Sequence, residues 1–133
     1  MTHNNSILIG KYIYQFLSES DELQAYLNGN VFPLIANDDV NYPFVVYSRQ
    51  NITPQYIKDG NCQDIIGIVI HVVSDDYVQS LEIANIIRKI FELRSYKDDK
   101  IVIKQFLISD VTESFEEDAY IQTLNISAIC GTL

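Results

Sequence analysis

At 133 residues, 47% hydrophobic and 20% charged, the chain suits one globular domain spanning 1–133, and it is too apolar for disorder. Its formal net charge of −9 argues against the basic face that phosphate binding needs, so no direct nucleic-acid partner is expected. The start, Met1-Thr2-His3-Asn4-Asn5-Ser6, has no basic leader region, and no apolar run approaches the ~20 residues of a membrane span. A soluble intracellular protein with no membrane partner is the expectation. The two cysteines, Cys62 and Cys130, are too few for a disulfide framework and read as buried thiols.

In chain order, Ile7–Leu17 reads as a helix capped by Ser6, with Ile9, Tyr12, Ile13 and Phe16 on one face. Gly10 weakens it by ~1 kcal/mol relative to alanine. A short helix at Asp21–Leu27 follows, capped by Ser20 or Asp21 and stopped by Asn28-Gly29-Asn30. Val31-Phe32-Pro33 reads as an edge strand, since proline cannot donate to a central ladder. Phe44–Gln50 is a strand. Asn51–Asn61 has no periodicity and contains Pro54 and Gly60, so a long loop is expected there.

The stretch Gln63–Leu93 is the centre of the chain. Ile65, Ile66, Ile68, Val69, Ile70, Val72 and Val73 form a β-branched strand. Ser74 is the expected cap of the long helix that follows, with Tyr77, Leu81, Ala84, Ile87 and Phe91 on its stripe. Tyr96–Lys100 is a charged turn, and Ile101–Ser109 a strand with Ile101, Ile103 and Leu107 on one face. Asp110–Asp118 reads as an acidic turn. Tyr120–Cys130 closes the chain with a period of two. The fold class is therefore α+β: a mainly antiparallel sheet of four to five strands, packed by the long helix and the N-terminal helix, in the order α-α-β-β-β-α-β-β. Ile66, Ile68, Ile70, Leu81, Ala84, Ile87, Phe91, Leu124 and Ile126 are expected in the core.

Chemistry is sparse. His3 lies near the terminus, and His71 sits mid-strand with no carboxylate or cysteine spacing around it, so it reads as a packed or interface residue. No Gly-x-Ser-x-Gly elbow and no Gly-rich phosphate loop occurs. Glu116-Glu117-Asp118 lacks the spacing of a calcium loop, so a solvated turn without metal is expected. No catalytic residue, metal or cofactor is expected, and the chain is not read as an enzyme.

One feature asks for a partner. Ile66, Ile68, Ile70 and Val72 lie on one face of the central strand, and Ile65, Val69 and Val73 on the other. The long helix covers one face only, so the second needs the N-terminal helix or another subunit. Val78, Ile86 and Leu93 lie off the helix stripe and add to the case for association.

Taken together, the pattern resembles the phage and prophage tail-completion proteins, the tail terminators or tail-to-head joining proteins of long-tailed phages. Gly29-Asn30-Val31-Phe32-Pro33 is similar to the family's Gly-x-Val-Tyr-Pro piece, and Tyr42-Pro43-Phe44-Val45-Val46-Tyr47 to its Pro-Tyr-Val-Val-Tyr strand. The likeness runs from about Ile7 to Cys130; the nearly all-aliphatic second face of the central strand departs from it. The resemblance implies a structural protein without catalytic residues. It would form a ring, commonly a hexamer, that caps the tail tube and joins it to the head. Its partners would be copies of itself, the tail-tube protein and the head–tail connector proteins; its location would be the host cytoplasm during assembly and then the virion tail. The expected contact residues are Asn51, Ile52, Thr53, Pro54, Gln55 and Tyr56 of the loop, with Ile65, Val69, His71 and Val73 of the strand. The alternative is a small intracellular binding or regulatory domain, dimeric through the same apolar face.

Overall fold

The computed structural model of the protein describes residues 4–58 and 60–132. The expected cap Ser6 instead opens a single 3-10 turn, Ser6–Leu8, and its buried hydroxyl donates to Asp64 Oδ2 at 2.6 Å. Helix α1 follows at Ile9–Glu19, and Ile9, Tyr12, Ile13 and Phe16 are buried on one face as their spacing requires. Helix α2 is Asp21–Leu27; Ser20 Oγ accepts from Leu23 N at 3.2 Å, and Leu23 and Leu27 are buried. Asn28 (φ 46°) and Gly29 (φ 87°) adopt the left-handed backbone that stops the helix.

The sheet has six strands, not four to five. In chain order they are β1 (Val31–Pro33), β2 (Phe44–Ile57), β3 (Gly60–Ser74), β4 (Tyr96–Lys97), β5 (Val102–Glu116) and β6 (Ala119–Gly131), arranged β1-β2-β3-β6-β5-β4. It is mixed rather than antiparallel throughout, because edge strand β1 runs parallel to β2 with Val31 opposite Val45. Strand β4 forms within the expected charged turn, where Tyr96 pairs with Ile103.

The expected loop Asn51–Asn61 is instead the far half of a hairpin. β2 continues to Ile57 and pairs with β3 down to Gly60. Periodicity fails there because the strand leaves the helix layer and exposes residues of both faces, so no apolar alternation is required. Pro54 fits because its missing N–H falls on the outer side. Val45 N and Tyr47 O bond outward to the β1 segment, and strand alternation past a bulge near Gln50 carries that phase to Ile52 and Pro54. The acidic turn 110–118 is likewise mostly strand. Only Glu117 (φ 50°) and Asp118 (φ 63°) turn the chain, as a two-residue hairpin with both central residues left-handed.

All three helices pack on one face of the sheet. Helix α3 (Tyr77–Phe91) lies over β3, β6 and β5, and α1 lies over β1 and β2. The cap of α3 is Asp76, whose carboxylate accepts from Gln79 N at 3.1 Å. Ser74, the expected cap, is buried one step earlier and accepts from Asp76 N at 3.0 Å. The buried stripe of α3 is Ser80, Ile83, Ala84, Ile86, Ile87 and Phe91, while Leu81 is 39% exposed and Tyr77 is exposed too. The helix is rolled relative to the expected stripe: α2 and α1 pack beside it in the same layer, with Tyr26 of α2 bonded to Glu82, and Ile86, one turn on from Glu82, is buried in the core.

β5 also departs from simple alternation. Bulges after Ile103 and after Ile108 shift its register against β6, so Ile103 and Phe106 both face the helices while Leu107 turns away. Phe16, Phe91 and Phe106 meet edge-on at 5.2–6.2 Å between ring centres and anchor the core. Tyr12 and Tyr96 both donate to Asp98 Oδ2, which ties α1 to the turn before β5. Burial, aided by the Asp98 carboxylate, pushes the Tyr12 phenol up to about 12. The remaining expected core residues, Ile66, Ile68, Ile70, Ala84, Ile87, Phe91, Leu124 and Ile126, are all buried. Ile68→Ala is expected to cost ~2–5 kcal/mol as a core truncation, measured by denaturant unfolding.

Candidate assembly interface

The second face of the sheet is bare of helix. α1 does not cover it, contrary to one of the two expectations, because α1 shares the core with α3. Register places Phe44, Val46 and Ser48 of β2 on this face, with Ile65, Gly67, Val69, His71 and Val73 of β3 and Ile121, Thr123, Asn125, Ser127 and Ile129 of β6. Most are half-buried by their neighbours; Val69 is buried yet stands apart from the core cluster. At one end Leu34, Ile35, Ala36 and Asp38 border a hollow of about 580 Å³ floored by Phe44, Val46, His71, Val73, Ile121 and Thr123.

The expected contact residues divide accordingly. Ile65, Val69, His71 and Val73 share the bare face, and by alternation Asn51, Thr53 and Gln55 continue it along the hairpin. Ile52 instead packs against the core, and Pro54 follows it on the helix side. Tyr56, 72% exposed, stands with Ile57 near the hairpin end. Asn51 braces the strand locally, since its Oδ1 accepts from Gly67 N at 3.1 Å beside the bulge. A Cβ at Gly67 would sit 2.6 Å from that oxygen, which explains the glycine in an otherwise aliphatic run.

His71 is held by Thr123, with Nδ1 2.9 Å from Oγ1. Burial lowers its pKa, and the Glu116 charge opposes that only in part. His3 lies outside the described residues. Cys130 is buried, and burial pushes its thiol up to about 11, whereas Cys62 is only half-buried, contrary to expectation. Glu113, Glu116, Glu117 and Asp118 are exposed. Among the described residues no group of three or more potential metal ligands comes together.

Sequence reasoning missed the flanks. Beside β5, Tyr77 and Phe115 line one notch with Glu113 and Tyr120, and Leu81 and Val111 line the next. Tyr77 OH donates to Glu113 Oε1 at 3.1 Å, and Tyr120 stacks obliquely on both Tyr77 and Phe115. On the opposite flank Ile7 and Leu34 line a notch with Tyr47 and Arg49. Leu34 and Ile35 are each 76% exposed and Ile7 74%. The one sequence signal was Val111, an apolar residue inside the expected acidic turn; Leu81 gave none, since it fitted the expected core stripe.

The result is a one-sided α+β sheet with apolar residues exposed on both flanks and one face bare of helix. The chain matches the model of the family described as Tail completion protein gp17 over residues 11–130, and it belongs to that family. Membership gives it a structural role in a phage-type tail. A chain from a structure titled "Virion of native gene transfer agent (GTA) particle" has the same fold. The TM-score is 0.79 at 15% identity, over 90% of this chain and 91% of that one. By sequence alone, no curated protein matches.

Two outcomes follow from the geometry of the face. A histidine whose folded pKa lies below its unfolded value binds fewer protons when folded, so stability falls as pH drops through the ordinary histidine range near ~6.5. Thermal melts from about pH 7.5 to about pH 5 should show His71→Asn losing less stability on acidification than the parent does. The solvated acidic hairpin should be indifferent to chelation: EDTA is expected to leave the melting temperature unchanged.

Proposed function

We propose that the protein is a single-domain tail-completion subunit whose copies close into a ring of six on the end of the tail tube and join the tube to the head. The observation that carries this reading is the pair of unlike apolar flanks. Ile7, Leu34 and Ile35 lie on the β1–β2 side, while Tyr77, Leu81, Val111 and Phe115 lie on the β5 side. Different patches on opposite flanks favour a head-to-tail contact, which generates rings, over the self-complementary contact of a dimer. The bare sheet face, with Ile65, Val69, His71 and Val73, is then available to a neighbour, to the tail-tube protein or to the connector proteins. Family membership supports a structural rather than catalytic protein of the virion tail. The net charge of −9 makes nucleic acid and anionic membrane poor partners for the chain.

Six copies of a 15.2 kDa chain give about 91 kDa, to be sought by native mass measurement. The functional test is deletion of the gene from its prophage, followed by imaging of the particles. Tails of uncontrolled length, or heads and tails that fail to join, are expected. Normal infectious virions from the deletion would overturn the reading.

A further inference from the structure

Two stretches of the sheet's outer edge have no backbone partner among the described residues. β1 covers β2 only at Val45, Val46 and Tyr47, which leaves residues 49–57 open. β4 covers β5 only at Val102 and Ile103, and Leu93 and Arg94 bond Phe106, which leaves residues 108–116 open. Such edges are templates for a further strand. They lie at diagonally opposite corners, because Phe44 at the start of β2 is level with Val73, Ile121 and Ser114 near the end of β5.

Their charges are complementary. Residues 49–58 contain Arg49 and Lys58 and no acid, in a chain whose Lys and Arg total only 9. Residues 108–118 contain Asp110, Glu113, Glu116, Glu117 and Asp118 and no base. Two β5 edges would set acid against acid, whereas a β5 edge against a β2 edge sets acid against base. β2 and β5 run in opposite directions, being separated by three antiparallel pairings. A neighbour placed head to tail therefore presents its β5 antiparallel to β2.

We propose that the open edge of β2 in one copy pairs antiparallel with the open edge of β5 in the next, so that the sheet runs on from subunit to subunit. This rests on the ring reading above and supplies its contact. Phe106 bonds outward, and alternation past the second bulge carries that phase to Val111 and Glu113, as it carries the β2 phase to Ile52 and Pro54. Setting Ile52 against Glu113 and Pro54 against Val111 joins outward-facing residues to outward-facing residues and places Thr53 opposite Thr112. Pro54 removes one donor from this ladder, but its carbonyl still accepts. In its own sheet Val111 is level with Tyr47, through Leu124 and Ile70. Each copy is thus stepped by about six residues, or ~20 Å, along the strands. A stagger of that kind tilts the strands and is what a sheet needs to close on itself.

Thr53 and Thr112 would form a pair that does not exchange backbone bonds, with Cα atoms ~4.5 Å apart, within the range a disulfide spans. The test is T53C with T112C on one chain, in a Cys62→Ser background, oxidised both as purified protein and in particles made by the prophage. A covalent ladder from dimer to hexamer is expected from the double variant and from neither single variant. A ring of about 91 kDa, six chains of 15.2 kDa, without that ladder overturns the strand pairing and leaves the ring standing. No assembly in solution or in particles removes both. As a second readout, Arg49→Glu should weaken assembly several-fold, added Glu113→Arg should restore it, and rising salt should weaken the parent. Failure of that rescue, or assembly that tightens with salt, overturns the pairing.

Discussion

Every helix of the described chain lies on one face of the sheet, and this one-sided packing sets the terms for the rest. The buried layer is closed by three phenylalanines, Phe16 from α1, Phe91 from α3 and Phe106 from β5, which come from distant parts of the chain. Burying apolar area at roughly 25 cal/mol per Å² rewards collecting the helices over one core rather than splitting them between faces. The cost is a second face whose aliphatic residues, Ile65, Val69, Val73 and Ile121 among them, receive no helix.

Polar groups hold the helix layer in register with the sheet. Asp64, buried on β3, accepts from Ser6 at the turn that starts α1. Asp98 accepts from Tyr12 and Tyr96 while its other oxygen accepts from the backbone of Lys100 and Ile101. Backbone donation from Lys100 and Ile101, together with the two tyrosines, holds its carboxyl below the usual range despite the cost of desolvation. Asp64 and the Asp98 turn are level with each other through Cys130 and Ile103, so these contacts fix the start and middle of the first helix at that end of the sheet.

The long hairpins extend past that layer in opposite directions, and their composition follows from where they go. Beyond Gln50 and beyond Ile108 the residues become mixed in polarity and mostly exposed, although α3 still reaches Glu113 through Tyr77 and borders Val111 through Leu81. Edge protection differs between them. β2 carries Pro54 and positive charge, and β5 carries acids, so each resists pairing with its own kind. Specific assembly from a strongly acidic chain needs such asymmetry, since non-specific apolar contact would be opposed by a net charge of −9 on every copy.

The sequence by itself determined the three helices, the first two helix boundaries to within a few residues, the central strand and its two faces, and the likeness to tail-completion proteins. It could do so because local periodicity and turn chemistry act over a few residues, as in Ile9, Tyr12, Ile13 and Phe16, or in Asn28-Gly29. Only the tertiary structure decided the roll of α3, since α2 and α1, elements far away in sequence, pack beside it and Ile86 is buried in the shared core. It alone decided that Asn51–Asn61 and most of 110–118 are strand, because cross-strand pairing supplies the stabilisation that an exposed, aperiodic sequence does not advertise. It alone showed that Phe106 faces inward, as a bulge shifts the phase by one residue without any local signature. And it showed which face stays bare: that depends on where α1 docks, and its Phe16 meets Phe91 and Phe106, residues distant in sequence, on the other face.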